Sequence, residues 1–348
     1  MIAIELITER PRNIELPFDY SPLVSMYHGC AFPIGIIMAC AAEHEKDITP
    51  WLCGKYINWM YVPGLFNKYN HYFDDSWMRN DGILRLQRIR LRKETYHIIF
   101  EDCDIVDLFR LMLSQGFYPS DYYNEKRIPG KAAYNRYDFK HDFVLTGYDD
   151  NQEIFISGGY LSDGHFHKFT IPYQNLREAY NEYTTEFVTC NFWKYNDKAD
   201  YSLRLGDVVR FLEDYLYSKT SVNICTTGRL FGMEAMKQLP VTFKENASQG
   251  KPIDPRFTRG FMEHKKMMAT RIQYLTQIGV LNDSGLYMMA HENSVKSETV
   301  HTLGIKYSMT RKPVIIDSIQ HTIMYILENE QSYLPKVLKA LKLENRLQ

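Results

Sequence analysis

Apolar residues recur at Val208, Phe211, Leu212, Tyr215 and Leu216, the i, i+3, i+4, i+7, i+8 spacing of a helix with one buried face. Phe261, Met268, Ile272 and Leu275 continue the same period, and residues 315–327 predict a further helix. Between them the polar, Gly- and Pro-bearing stretch 245–255 predicts a loop. Upstream the pattern changes. Two β-rich runs, 143–148 and 153–157, flank Asp149-Asp150-Asn151-Gln152, which predicts a β-hairpin. Earlier still, residues 29–42 are uncharged and mostly apolar, closed by His44-Glu45-Lys46-Asp47; they predict a buried helix. A Tyr- and Trp-dense region, 51–77, and a basic stretch, 85–93, follow. The expectation is an α+β N-terminal half, 1–200, and a helical C-terminal domain, 201–348, with the boundary near 197–205.

At 348 residues the chain has length for about two domains. Its 45% hydrophobic content supports a sizeable core. Lys plus Arg number 41 and Asp plus Glu 42, a balance that argues against nucleic acid as a partner. The uncharged stretch 29–42 is too short for the roughly 17–25 residues of a membrane span. The first residues alternate apolar and charged, unlike a secretory signal. The 6 cysteines are sparse and form no C-x-x-C pair, so neither a disulfide framework nor a zinc site is expected. A cytoplasmic, reduced protein is the consequence.

Several chemistries lack their parts. Neither a phosphate-binding G-x-x-x-x-G-K-[ST] loop nor a dinucleotide G-x-G-x-x-G is present, and no cofactor is expected. His44-Glu45 and His291-Glu292 begin a zincin motif that Ile48 and Val295 do not complete. Asp163-Gly-His-Phe-His167 holds two imidazoles, but no third ligand lies nearby, and a solvated turn is the better reading.

A reactive cysteine needs a depressed pKa, which a helix N-terminus supplies through its unpaired N–H groups and dipole. Cys30 fits: Gly29 permits a tight turn and Pro33 suits a first helical turn. Cys40 falls inside the helix and reads as packing. Cys103, in Glu-Asp-Cys-Asp, would be pushed up by its carboxylates. A thiol nucleophile also needs a base and a group to orient it. His141 opens the first hairpin strand, and the turn brings residues 156–160 back beside it. A small buried hydrophobe at Cys30 and a structural histidine at 141 are the bland alternatives.

Tyr-His-Gly-Cys30 before an apolar helix, then His141-Asp-Phe-Val-Leu-Thr-Gly-Tyr-Asp-Asp150 and Glu153-Ile-Phe-Ile-Ser157, resemble the papain-like group that includes double-glycine leader peptidases. More closely, the chain is similar to the butirosin biosynthesis protein H family of acyltransferases. Thr170-Ile-Pro-Tyr173, Phe231-Gly232 and Glu263-His-Lys-Lys266 echo that family in the C-terminal half. The resemblance spans about residues 20–345 in short motifs. It implies a papain-like cysteine protease fold, with Cys30 as nucleophile and His141 as general base.

Peptidases of the group carry an orienting Asp about sixteen residues after the histidine; here position 157 is Ser. Ser157 is then the expected third member, with Asp163 or a backbone carbonyl as substitutes. The glutamine that lines the oxyanion hole is also missing, since Val24 stands six residues before Cys30. Backbone N–H groups at Cys30 and His28 or Tyr27 would serve instead.

The implied reaction is acyl transfer through a thioester on Cys30. Without a nucleotide site, an amide-forming enzyme needs an activated donor, such as a thioester on an acyl or peptidyl carrier protein, and a small amine acceptor. Nonribosomal peptide or related natural-product assembly is the expected setting. Trp51, Trp59, Tyr61, Trp77, Tyr118, Tyr122 and Tyr123 are candidates to line a water-poor site. Arg85, Arg88, Arg90, Arg92 and Lys93 are candidates to dock an acidic carrier. A narrow cysteine peptidase or amidase, favoured by an acidic residue orienting His141, and a non-catalytic binding module are the alternatives.

Overall fold

The computed structural model describes residues 11–20, 31–62, 71–73, 82–99, 104–163, 166–183, 186–223 and 226–344. They form two compact units, one from the described residues of 11–46 and 82–200, the other from those of 47–73 and 201–344. The described residues of 47–73 thus fall in the second unit, not in the N-terminal domain expected for them. The reason is burial within the second unit: Arg271 donates to the carbonyls of Cys53 and Lys55, and His264 binds the carbonyl of Ile57.

The first unit is α+β. In chain order it contains β1 (Asn13–Glu15), α1 (Ala31–Glu43), β4 (Leu84–Arg92), α3 (Lys93–Ile99), α4 (Ile105–Ser114), β5 (Tyr118–Asn124), β6 (Lys140–Asp149), β7 (Ile154–Tyr160), β8 (Phe166–Pro172), α5 (Tyr173–Tyr183) and β9 (Phe187–Tyr195). The strands form one antiparallel sheet in the order β4-β9-β5-β6-β7-β8, with β1 added to the far end of β6. The expected hairpin is β6–β7, with Val144 opposite Gly158 and Asp149 opposite Ile154. Residues 85–92, the basic stretch, are most of an edge strand paired along its length with β9. Arginines on an exposed edge deter pairing with another chain.

Strand alternation gives the sheet two apolar faces. Phe143, Leu145, Tyr123 and Phe155 pack with α4 and α5, around Phe109 and Tyr180. Val144 and Tyr118 face the other way and pack with Ile36 and Cys40 of α1. Gly147 is required by this arrangement: a Cβ there would lie 2.3 Å from the carbonyl oxygen of Ile14 in β1.

The second unit is largely helical. It holds α2 (Thr49–Leu52), β2 (Trp59–Tyr61), β3 (His71–Phe73), α6 (Leu205–Leu216), β10 (Leu230–Phe231), α7 (Gly232–Ser248), α8 (Pro255–Gln277), α9 (Ser284–Thr310) and α10 (Pro313–Glu344). The three short strands pair in the order β10-β2-β3. Helices α6, α8 and α10 fall where the periodicity predicts them. The loop expected at 245–255 is shorter, because α7 runs on to Ser248 and Asp254 caps α8 by accepting from Arg256 N. Among the described residues no helix is long and apolar enough to cross a membrane.

Candidate functional site

Cys30, the expected nucleophile, lies outside the described residues, as do Tyr27, His28 and Val24; Ala31 begins α1. The direction of α1 can be read from what it packs on. His44, just past its end, stacks on Tyr195; Cys40 Sγ lies 3.4 Å from Tyr118 Oη; Ile36 packs with Val144. Tyr195 is on β9, Tyr118 on β5 and Val144 on β6, so α1 crosses the strands of the sheet, with its start on the β6 side of its end. His141 stands three residues before Val144, at the start of β6.

His141 sits at that start, half-buried, with its Nδ1 2.8 Å from Glu125 Oε1. Its Nε2 faces Asp142 Oδ1 at 3.5 Å, beyond good hydrogen-bond length. By alternation the His141 side chain belongs to the α4/α5 face and Asp142 to the face of α1. His141 and α1 are thus assigned to opposite faces of the sheet. Phe139 packs on the ring, with centroids 5.4 Å apart.

Glu125 is positioned by local structure. Asn124 caps a short 3-10 turn, Glu125–Arg127, by accepting from Lys126 N, and Glu125 N donates to the Phe139 carbonyl across the loop that joins β5 to β6. Register supplies the rest: Tyr123 is opposite His141, so Glu125 follows two residues beyond the histidine's cross-strand partner. The Glu125 side chain is 7% exposed and that of Lys131 2%, and Lys131 Nζ lies 3.3 Å from the same Oε1. Burial pushes the Glu125 carboxyl up, but hydrogen bonding from His141 and the Lys131 charge together outweigh it and hold it below its usual range. This leaves an ionised carboxylate on the inner nitrogen of a half-exposed imidazole, the arrangement of a general base with a fixed tautomer.

Ser157, expected as the third member, is elsewhere. Its buried Oγ donates to the carbonyl of Val144 at 2.7 Å, and it stands opposite Leu145, four residues along the strand from His141. The partner that the structure gives His141 is Glu125 in its place. Asp163 is engaged with His167, whose Nε2 lies 2.9 Å away; His165, the other imidazole of that segment, is outside the described residues. Among the described residues no three metal-ligating side chains converge.

The described cysteines are poor nucleophiles. Cys40, Cys53 and Cys190 are all buried. Burial pushes each thiol up, Cys53 to about 11. Cys103 and Cys225 lie outside the described residues.

The aromatic lining expected from the sequence separates into parts. Tyr118 and Tyr123 are buried in the sheet's two packed faces, and Trp59 is buried in the second unit, edge-on to His264. Trp51 is buried there too; Trp77 lies outside the described residues. Tyr122 is exposed, under Lys140 Nζ at 4.7 Å, and it is the cross-strand partner of Asp142. On edge strand β4, Arg88 donates to Asn191 and the guanidinium groups of Arg90 and Arg92 lie over the Phe187 ring. Alternation puts all three on the face of α1.

Glu125 and Lys131 were the residues that sequence reading missed. Their signal is weak, since both lie in a polar connection whose pairing partner is known only once β5 and β6 are registered. The chain matches no family model and no curated protein.

Proposed function

We propose that the protein is a cysteine-dependent acyltransferase on a papain-like fold, using Cys30, His141 and Glu125. The observation that supports this reading is the Glu125–His141 pair, a buried carboxylate on Nδ1 of the expected base. In the first half-reaction the Cys30 thiolate attacks the carbonyl of an acyl thioester. The C–S bond of the donor breaks, and the departing thiol takes its proton from the His141 imidazolium. In the second, an amine attacks the Cys30 acyl-enzyme; its proton passes to His141 Nε2 and the thiolate leaves. Glu125 supports the imidazolium at each stage.

An acyl or peptidyl carrier protein is the donor proposed, because no step then needs a nucleotide. Arg88, Arg90 and Arg92, on the same face of the sheet as α1, suit an acidic carrier. The Ser157 position, in which the carboxylate expected of peptidases is absent, is compensated by Glu125. That compensation favours a second reading, hydrolysis by a narrow cysteine peptidase or amidase, since a carboxylate-oriented histidine also activates water.

The two readings differ in the second half-reaction. Supplying an acyl-pantetheine thioester with increasing amine and measuring amide against free acid separates them. The proposal expects amide to exceed acid at millimolar amine; acid as the sole product at every amine concentration supports the hydrolase instead.

A further inference from the structure

We propose that α9 is a self-association surface: two copies of the protein pair through this helix, antiparallel, across a two-fold axis at Thr299. The inference is independent of the acyl-transfer reading.

Met288, Val295 and Met309 of α9 are half exposed or more, and Ile305 nearly so. A single exposed apolar residue means little, so the spacing decides. Met288, Val295, Thr302 and Met309 recur every seventh residue. They drift by only about 20° per repeat and stay on one line of the helix, which Ile305 widens one turn before Met309. Ala290, Ser297 and Gly304 each follow a member of that line by two residues, and all three are buried. Two residues turn a helix by about 200°. The small residues thus form the packed side, with Gly304 against Thr258 of α8, while Asn293 donates to the Ile326 carbonyl of α10. The apolar line is left on the opposite side of α9.

Charged groups flank that line. Tyr325 Oη donates to Glu292 Oε1 at 2.8 Å, and Lys296 Nζ lies 3.6 Å from the same oxygen, so the carboxylate is held at the surface beside the line. Lys306 is exposed on the same flank, and no carboxylate stands three or four residues from it on α9.

These positions select the occupant. Glu292 and Lys306 stand seven residues either side of Thr299, about 10 Å along the axis in each direction. Met288 and Met309 lie eleven and ten residues from it, Val295 and Ile305 four and six. A second α9 running antiparallel about Thr299 brings Glu292 level with the partner's Lys306, and by symmetry the reverse. It also sets Met288 against the partner's Met309, and Val295 beside the partner's Ile305. A parallel pair would oppose each charge with its own copy. One helix face on another is a small contact, so the expected dissociation constant is on the order of micromolar.

The test is sedimentation equilibrium of the full chain from about 1 to 100 μM. The average mass of the wild type rises with concentration from that of one chain toward that of two. Val295→Glu places a carboxylate in the line of both copies and weakens association about 30-fold or more. Lys306→Glu weakens it about tenfold, and Glu292→Lys/Lys306→Glu, which exchanges the charges, returns it to within about threefold of wild type. Urea midpoints check that each variant keeps its fold, and Met309→Ser replaces Val295→Glu if that one does not. A wild type that stays monomeric throughout overturns the inference, and so does a dimer indifferent to substitution in the line. Association weakened by Lys306→Glu but not recovered on charge exchange overturns the antiparallel pairing.

Discussion

His141 Nδ1 lies 2.8 Å from the carboxylate of Glu125, which precedes it by 16 residues in the chain. The residue 16 positions after the histidine, Ser157, points its hydroxyl at a backbone carbonyl instead. Two positions equally spaced about one histidine thus have opposite roles: one orients the ring, the other fastens the sheet.

This contrast gives a pair of expected outcomes. Glu125→Gln removes the anion that supports the imidazolium, so the acylation rate of Cys30 falls about 100-fold or more. Ser157→Ala leaves the rate within about twofold and costs about 1 kcal/mol of stability through the lost hydrogen bond. Stopped-flow acylation and urea unfolding of both variants check this.

Asp121 makes the first unit's stability depend on pH. Burial pushes its carboxyl up to about 6, although Thr189 Oγ1 donates to it. The native state then binds the proton that the unfolded chain releases near 4, so this contribution is present below about pH 4 and lost as pH rises through 6. Asp121→Asn keeps the acceptor and removes the titration. Relative to wild type, the variant gains stability between pH 4 and pH 7, measured as urea midpoints at the two values.

In the second unit, Lys265 Nζ binds both Glu330 Oε2 at 2.7 Å and Tyr215 Oη at 2.8 Å, and the two charged side chains are wholly buried. Removing one partner strands the other. Lys265→Met is expected to cost about 3–5 kcal/mol, and the double change Lys265→Met/Glu330→Leu to recover much of it, by urea unfolding.

Gly232 begins α7 at φ +54°, and a Cβ there would lie 2.1 Å from the Tyr215 carbonyl oxygen. Gly232→Ala combines a left-handed backbone with a backbone clash. An expected loss of about 3 kcal/mol or more is read from thermal or urea unfolding.

Where one apolar face dominates an element, its place was legible in advance: α6, α8 and α10 show their period, and β6–β7 shows its turn residues. Helix α9 did not show, because its buried face mixes Leu286, Val300 and Tyr307 with the small or polar Ala290, Asn293, Ser294, Ser297 and Gly304. At Gly304 the reason is direct, since a Cβ would lie 2.8 Å from Thr258 Cγ2 of α8. Strand β5 was hidden by its composition, a Pro, an Asp and three tyrosines that suggested a pocket lining. With β5 unseen, its register against His141 was unseen, and so was Glu125. His141, the proposed base, was legible because it opens a strand with a clear pattern. Its orienting group was not, because a turn residue acquires its neighbour only through long-range pairing.

The measurement that bears most directly on the central claim is intact mass after mixing the protein with an acyl-pantetheine thioester, beside Cys30→Ala and Glu125→Gln. The account predicts one acyl mass on the wild type, none on Cys30→Ala, slow accumulation on Glu125→Gln, and discharge faster with amine than with buffer. No adduct from any thioester tried, with Cys30 also inert to iodoacetamide near neutral pH, would contradict it.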